Sequence, residues 1–86
     1  MKKITIYTKP GCPYCDRAIA LFNKKGLIFE DIIASNSAEK REEMLKRSYP
    51  NTTYPQIFIG ERHIGGCDDM MMLEASGELD KILSET

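Results

Sequence analysis

No apolar run in these 86 residues approaches the roughly 20 needed to span a membrane, which excludes a transmembrane helix. Positive charge is not in excess either: 12 Lys and Arg stand against 13 Asp and Glu, a net charge of −1. Without a basic surplus to neutralise phosphates, nucleic acids and anionic membranes are poor candidate partners. Met1-Lys2-Lys3 has the look of a secretory n-region, but Ile4 to Lys9 alternates and then meets a charge, so no apolar h-region follows. The expected location is therefore the cytoplasm. Cysteine is scarce and odd in number: three residues with no secretory signal do not make a disulfide framework. Repeats, linkers and low-complexity segments are also absent, and residues 1–86 are expected to form a single small domain.

What is present alternates between two periods. Lys3 to Thr8 is β-branched and aromatic with period two, which predicts a strand with Ile4 and Ile6 on one face and Thr5 and Tyr7 on the other. Pro10-Gly11 breaks it. From Cys12 onward, Cys15, Ala18, Ile19 and Phe22 recur at helical spacing, with Pro13 suited to the first helical position. Lys24-Lys25-Gly26 is a stop signal with glycine at the left-handed cap. Leu27 to Ile33 reads as a second strand, which makes a right-handed βαβ unit with parallel strands. Asn36 and Glu39 are spaced as a capping pair for a charged helix over Ala38 to Ser48, whose inner side is assigned Arg41, Met44 and Leu45. Gln56 to Ile59, a Gly60-Glu61 turn, and Arg62 to Gly65 form a predicted hairpin. A helix from Cys67 through Ala75 with an acidic first turn, closed by Gly77, and a short amphipathic turn over Leu79 to Leu83 complete the order β-α-β-α-β-β-α.

Cys12 and Cys15 form a Cys-x-x-Cys pair at the strand-to-helix junction of a βαβ unit, a strong redox signal in a reducing compartment. The helix start favours a thiolate at Cys12, because unpaired backbone N–H groups and the helix dipole point there. Lys9 adds positive potential nearby. Cys15, one turn in on the buried stripe, is expected to stay a thiol, so Cys12 attacks and Cys15 resolves. A zinc site would need four ligands, and only His63 and Cys67 remain to join the pair, without a second Cys-x-x-Cys or paired His spacing. Redox chemistry is therefore preferred to a metal site. Pro55 opens a strand, and it is either a simple strand-start proline or a cis-proline whose turn offers the Tyr54 backbone to an extended peptide. Gly65-Gly66-Cys67-Asp68 is either a hairpin end with a capping aspartate or an anion site whose Asp68 meets an ammonium. Cys67 is either an inert apolar residue or a reactive thiol at a helix start. His63 is read as a surface residue and Met70-Met71-Met72 as core filler.

Taken together, Tyr7-Thr8-Lys9, Cys12-Pro13-Tyr14-Cys15, Thr53-Tyr54-Pro55-Gln56-Ile57-Phe58-Ile59 and His63-Ile64-Gly65-Gly66-Cys67-Asp68-Asp69 resemble the glutaredoxin family over nearly the whole chain, and Lys40 to Met44 resembles its bacterial glutaredoxin 3 type. The resemblance implies a thioredoxin-like α/β fold: a four-stranded mixed sheet, order 2-1-3-4, flanked by three to four helices. It also implies a glutathione-dependent thiol–disulfide oxidoreductase that reduces glutathione mixed disulfides and protein disulfides. Cys12 would be the nucleophile and Cys15 the resolving thiol. Lys9 and Tyr14 would flank the tripeptide, Thr53, Tyr54 and Pro55 would pair with its cysteinyl backbone, Gly66, Cys67 and Asp68 would hold its γ-glutamyl end, and Arg41 would help at the glycyl carboxylate. Implied partners are glutathione, as co-substrate, and glutathionylated or disulfide-containing client proteins, with a monomeric chain and neither a tightly bound cofactor nor a metal. A reductase fed by thioredoxin reductase and a carrier of bridging iron–sulfur clusters are the alternatives; in this family Pro13 disfavours the second. One residue departs from the family pattern: Tyr54 stands where valine is usual.

Overall fold

In the computed structural model, which describes residues 2–85, the chain forms strands β1 (Ile4–Thr8), β2 (Phe29–Ile33), β3 (Gln56–Ile59) and β4 (Arg62–Gly65). Its helices are α1 (Pro13–Lys24), α2 (Ala38–Ser48), α3 (Cys67–Ser76) and α4 (Glu78–Ser84), with a 3-10 turn at Ala34–Asn36. The sheet order is β2-β1-β3-β4, as the resemblance implied. β1 pairs parallel with β2 and antiparallel with β3, and β3 pairs antiparallel with β4. None of these helices is long and apolar enough to cross a membrane.

The alternation in β1 divides two cores. Ile4 and Ile6 join Ala18 and Phe22 of α1, Ile57 and Ile59 of β3, Met70 of α3, and Leu79 and Ile82 of α4. On the other face Tyr7 packs with Ala34, Phe58 and Met44 of α2, and the Tyr7 and Phe58 rings meet edge-on with centroids 5.7 Å apart. Both faces of the central strand are thus covered, and all five of its residues are buried. Tyr7 donates its buried hydroxyl to Glu43 and accepts from Arg47 Nη1 at 2.9 Å, while the Arg47 guanidinium lies 4.0 Å from the Phe58 centroid. This cluster ties α2 to the sheet and satisfies a phenol that would otherwise be stranded in the core.

Several local expectations shift. The second strand begins at Phe29 rather than Leu27, because Leu27 N–H turns back to Phe22 O and Gly26 N–H to Asn23 O. These two bonds around Gly26, at φ +69°, close α1 in a Schellman motif and use up the residues before the strand. Ser37, not Asn36, caps α2: Asn36 is taken into the 3-10 turn, and the Ser37 hydroxyl accepts from Lys40 N–H. Met44 is buried and Leu45 half-buried as expected, but Arg41 is exposed and turns toward Tyr54 instead of the core. His63 is half-buried rather than superficial, stacked on Phe58 at 4.9 Å between centroids. Of the methionine triplet only Met70 is fully buried, and Met72 is 72% exposed.

Candidate active site

β1 delivers the chain to the start of α1, and the turn over Lys9 to Gly11 leaves Cys12 at the N-cap in an extended conformation, followed by Pro13. Cys12 Sγ accepts the Cys15 backbone N–H at 3.2 Å, one of the donors that the first helical turn cannot pair internally. Both thiols are free, and the residues are only 4% and 2% exposed. Burial, and then the hydrogen bond with Cys12, push the Cys15 thiol up to about 12, against a smaller opposing effect of the Lys9 backbone N–H. At neutral pH Cys15 therefore keeps its proton. The helix N-terminus is turned toward one sulfur only, that of Cys12.

Beside the pair lies an open cleft of about 460 Å³. One wall is Asn51 and Thr53 to Gln56; the other is Gly66 to Asp69, with Tyr14 at the margin. The walls come close at the Pro55 carbonyl, which a side chain on Gly66 would meet at 3.5 Å. The first wall is braced from behind: Gln56, 1% exposed, donates through Nε2 to the Thr53 carbonyl at 2.9 Å. Its Oε1 lies 2.6 Å from His63 Nε2, so that histidine nitrogen is the donor. Burial holds His63 below the usual histidine range. The Tyr54–Pro55 peptide is cis, as the functional alternative for Pro55 required, and Tyr49–Pro50 is cis as well.

The second wall is the opening of α3. Gly65 has φ +114°, a backbone that only glycine adopts easily, and a Cβ there would collide with Asp69 Oδ2. That same oxygen accepts Gly66 N–H at 3.0 Å. Asp69, not Asp68, therefore caps the helix, which leaves the Asp68 side chain exposed on the cleft. Cys67 is 4% exposed, and burial, then the neighbouring Asp68, raise its thiol above the ordinary range. Cys12 itself lines neither this cleft nor the smaller one beside Cys15; the cleft reaches its neighbourhood through Tyr14 and Cys67.

Of the residues singled out from sequence, the cleft gathers Tyr14, Thr53, Tyr54, Pro55, Gly66, Cys67 and Asp68. Lys9 and Cys15 line a different, smaller cleft of about 190 Å³ with Asp16 and Asp31. Arg41 lines neither but donates from Nη1 to the Tyr54 hydroxyl at 2.8 Å. Asn51, Gln56 and Asp69 line the main cleft without having been anticipated. Among the described residues, no three of His, Cys, Asp and Glu are grouped to hold a metal ion.

A family model described as glutaredoxin matches residues 4–64. The chain is 54% identical to glutaredoxin 3 of Escherichia coli K12 over 83 residues, covering 96% of this chain and 99% of that one. It is 51% identical over 81 residues to glutaredoxin 1 of Rickettsia prowazekii, covering 93% and 85%. The solution structure of glutaredoxin from Brucella melitensis superimposes with a TM-score of 0.82 at 55% identity, covering 96% and 89%. A buckwheat glutaredoxin–glutathione complex does so with 0.85 at 29% identity, covering 96% and 77%. The chain belongs to the glutaredoxin family, whose members are thiol–disulfide oxidoreductases with a thioredoxin-like fold.

Proposed function

We propose that this glutaredoxin reduces glutathione mixed disulfides and protein disulfides with glutathione as electron donor. The observation that carries the reading is the Cys12 sulfur at the N-terminus of α1, hydrogen-bonded by Cys15 N–H, beside a cleft that offers one peptide-like wall and one helix N-terminus. A glutathionyl moiety fits those features. Its cysteinyl backbone lies along Tyr54 and the Pro55 turn with Thr53 alongside, and its γ-glutamyl carboxylate meets the N–H groups at Gly66, Cys67 and Asp68. The Asp68 carboxylate takes the ammonium, Tyr14 covers the cleft margin, and Lys9 and Arg41 supply positive charge for the glycyl carboxylate. A buckwheat relative is known as a glutathione complex, which supports the same occupancy here.

In the monothiol route, the Cys12 thiolate attacks the glutathione sulfur of the mixed disulfide. The client–glutathione S–S bond breaks, the client leaves as thiolate and takes a proton, and Cys12 carries the glutathionyl group. A second glutathione thiolate attacks that sulfur, releases glutathione disulfide and restores Cys12. For a protein disulfide, Cys12 attacks one client sulfur and frees the other as a thiol, and Cys15 then loses its proton and attacks Cys12 to release the reduced client, leaving a Cys12–Cys15 disulfide. One glutathione thiolate attacks Cys12 and frees Cys15, and a second releases glutathione disulfide and restores Cys12. The high proton affinity of Cys15 holds it in reserve until it attacks Cys12.

Cys12→Ser is expected to abolish all turnover, while Cys15→Ser retains deglutathionylation and loses reduction of protein disulfides. If both variants are equally inactive on a glutathione mixed disulfide, the monothiol route is wrong. A coupled assay with glutathione or thioredoxin reductase as donor decides the electron source.

A further inference from the structure

The side chain of Tyr54 does more than its backbone role requires. Its hydroxyl accepts from Arg41 Nη1 at 2.8 Å, and the Arg41 Cζ lies 5.5 Å from the ring centroid. Lys9 Nζ lies 5.8 Å from the same centroid. Two cations from distant segments, the turn before α1 and the first turns of α2, thus converge on one aromatic ring, and that ring also lines the cleft. Among the described residues neither Lys9 nor Arg41 forms an ion pair, as is also true of Arg17, Lys24, Arg47 and Arg62. The π-face and phenol oxygen of Tyr54 give both cations a partner. A carboxylate that reaches them would add a charged one. A guanidinium held by one hydrogen bond keeps its other N–H donors for a planar carboxylate, and a lysine ammonium adds a second donor.

We infer that Tyr54 is a positioning residue: it holds Arg41 and Lys9 together as a two-cation clamp for a carboxylate at its end of the cleft, and so makes the enzyme selective for ligands with a free carboxylate there. This rests on the glutathione reading. With the amino-acid end of the tripeptide at Asp68 and the start of α3, the carboxylate at the Tyr54 end is the glycyl one. A valine at this position can pair its backbone with substrate but has neither ring nor hydroxyl to order the cations.

The test compares wild type with Tyr54→Phe and Tyr54→Val, using the mixed disulfide of glutathione with 2-mercaptoethanol for turnover. Calorimetric binding of S-methylglutathione and of its glycinamide derivative gives a second readout that needs no catalysis. Tyr54→Phe keeps the ring and removes the hydrogen bond. It is expected to raise KM, and the Kd for S-methylglutathione, roughly three- to tenfold, the range for one partly solvated bond to a charged group, with the loss falling on KM rather than kcat. Tyr54→Val goes further. The glycinamide binds wild type more weakly than the acid does and is insensitive to Tyr54→Phe. Equal weakening of acid and amide, an unchanged Kd in Tyr54→Phe, or a wild type that binds neither ligand overturns the clamp. A wild type that binds in the expected pattern but does not turn over the mixed disulfide overturns the proposed activity and leaves the clamp standing.

Discussion

The proton on Cys15 can be read as stability. Its thiol is pushed from an ordinary 9.0 to about 12 in the folded chain, chiefly by burial, and the residue is only 2% exposed, so solvent screening discounts little. A raised folded value means the folded state holds the proton more tightly than the unfolded one. The corresponding stability is complete below pH 9 and is lost as pH climbs toward 12. At pH 8 the loss is negligible. At pH 10 the unfolded thiol is about nine-tenths ionised and the folded one hardly at all, which costs the native state RT ln 11, about 1.4 kcal/mol. Tyr7, Cys67 and Lys25 also have raised values and erode stability in the same direction. The reduced Cys15→Ser variant keeps all three, so subtraction isolates Cys15. Urea unfolding of both proteins under a phosphine reductant, at pH 8, 9 and 10, is expected to show wild type losing about 1.4 kcal/mol relative to Cys15→Ser across that range. Parallel pH profiles for the two proteins would mean that Cys15 ionises as freely when folded as when unfolded. The reserve assigned to the resolving thiol would then not exist.

Gly65→Ala is expected to lower stability by about 1–3 kcal/mol and to weaken glutathione binding together with it, because the new Cβ would strain the backbone and displace the Asp69 cap from Gly66 N–H. Urea unfolding and ligand titration check the pair, and an unchanged midpoint would refute the strain. Tyr7→Phe removes the hydroxyl between Glu43 and Arg47 and is expected to cost about 1–3 kcal/mol at pH 7. The hydrogen bond from Tyr7 is the main cause holding the Glu43 carboxyl below its usual range, so this stability is present above the ordinary carboxylate value and lost as pH falls through the folded one. The gap between Tyr7→Phe and wild type should therefore narrow on going from pH 7 to pH 3 in thermal melts; a constant gap would contradict it.

Periodicity carried the elements. The switch from period two to helical spacing at Cys12, the cap at Gly26 and the Gly60 turn set a parallel βαβ unit and an antiparallel hairpin, whereas the order in which the four strands join came from the resemblance to glutaredoxins. Local misreadings came where neighbouring residues can do the same job. Asn36 and Ser37 are both good caps, and only the 3-10 turn selects the serine. Asp68 and Asp69 are likewise both placed to cap α3; the spacing from Gly66 favours the second, but a glycine cap hides half of the usual signature. Gln56 was hidden differently. It opens a strand whose four residues are all buried, so it reads as core, whereas its amide and His63 brace the Thr53 wall from behind. Arg41 has the spacing of an inward-facing position, but its long side chain reaches a phenol instead of the core. Lys9 and Tyr54 meet it there across large sequence separations, which no local pattern encodes.

The hairpin of β3 and β4 has a consequence for how this site can vary. One wall of the cleft ends at Pro55, directly before β3, and the other begins at Gly66, directly after β4. Residues 53–68 are therefore one uninterrupted stretch that carries most of both walls, while Lys9, the Cys12–Cys15 pair and Arg41 come from earlier in the chain. Exchanging this stretch between relatives should exchange the walls but leave the cations that meet Tyr54 to the recipient, provided the Ile57–Gly65 pairing that spaces the two walls is preserved.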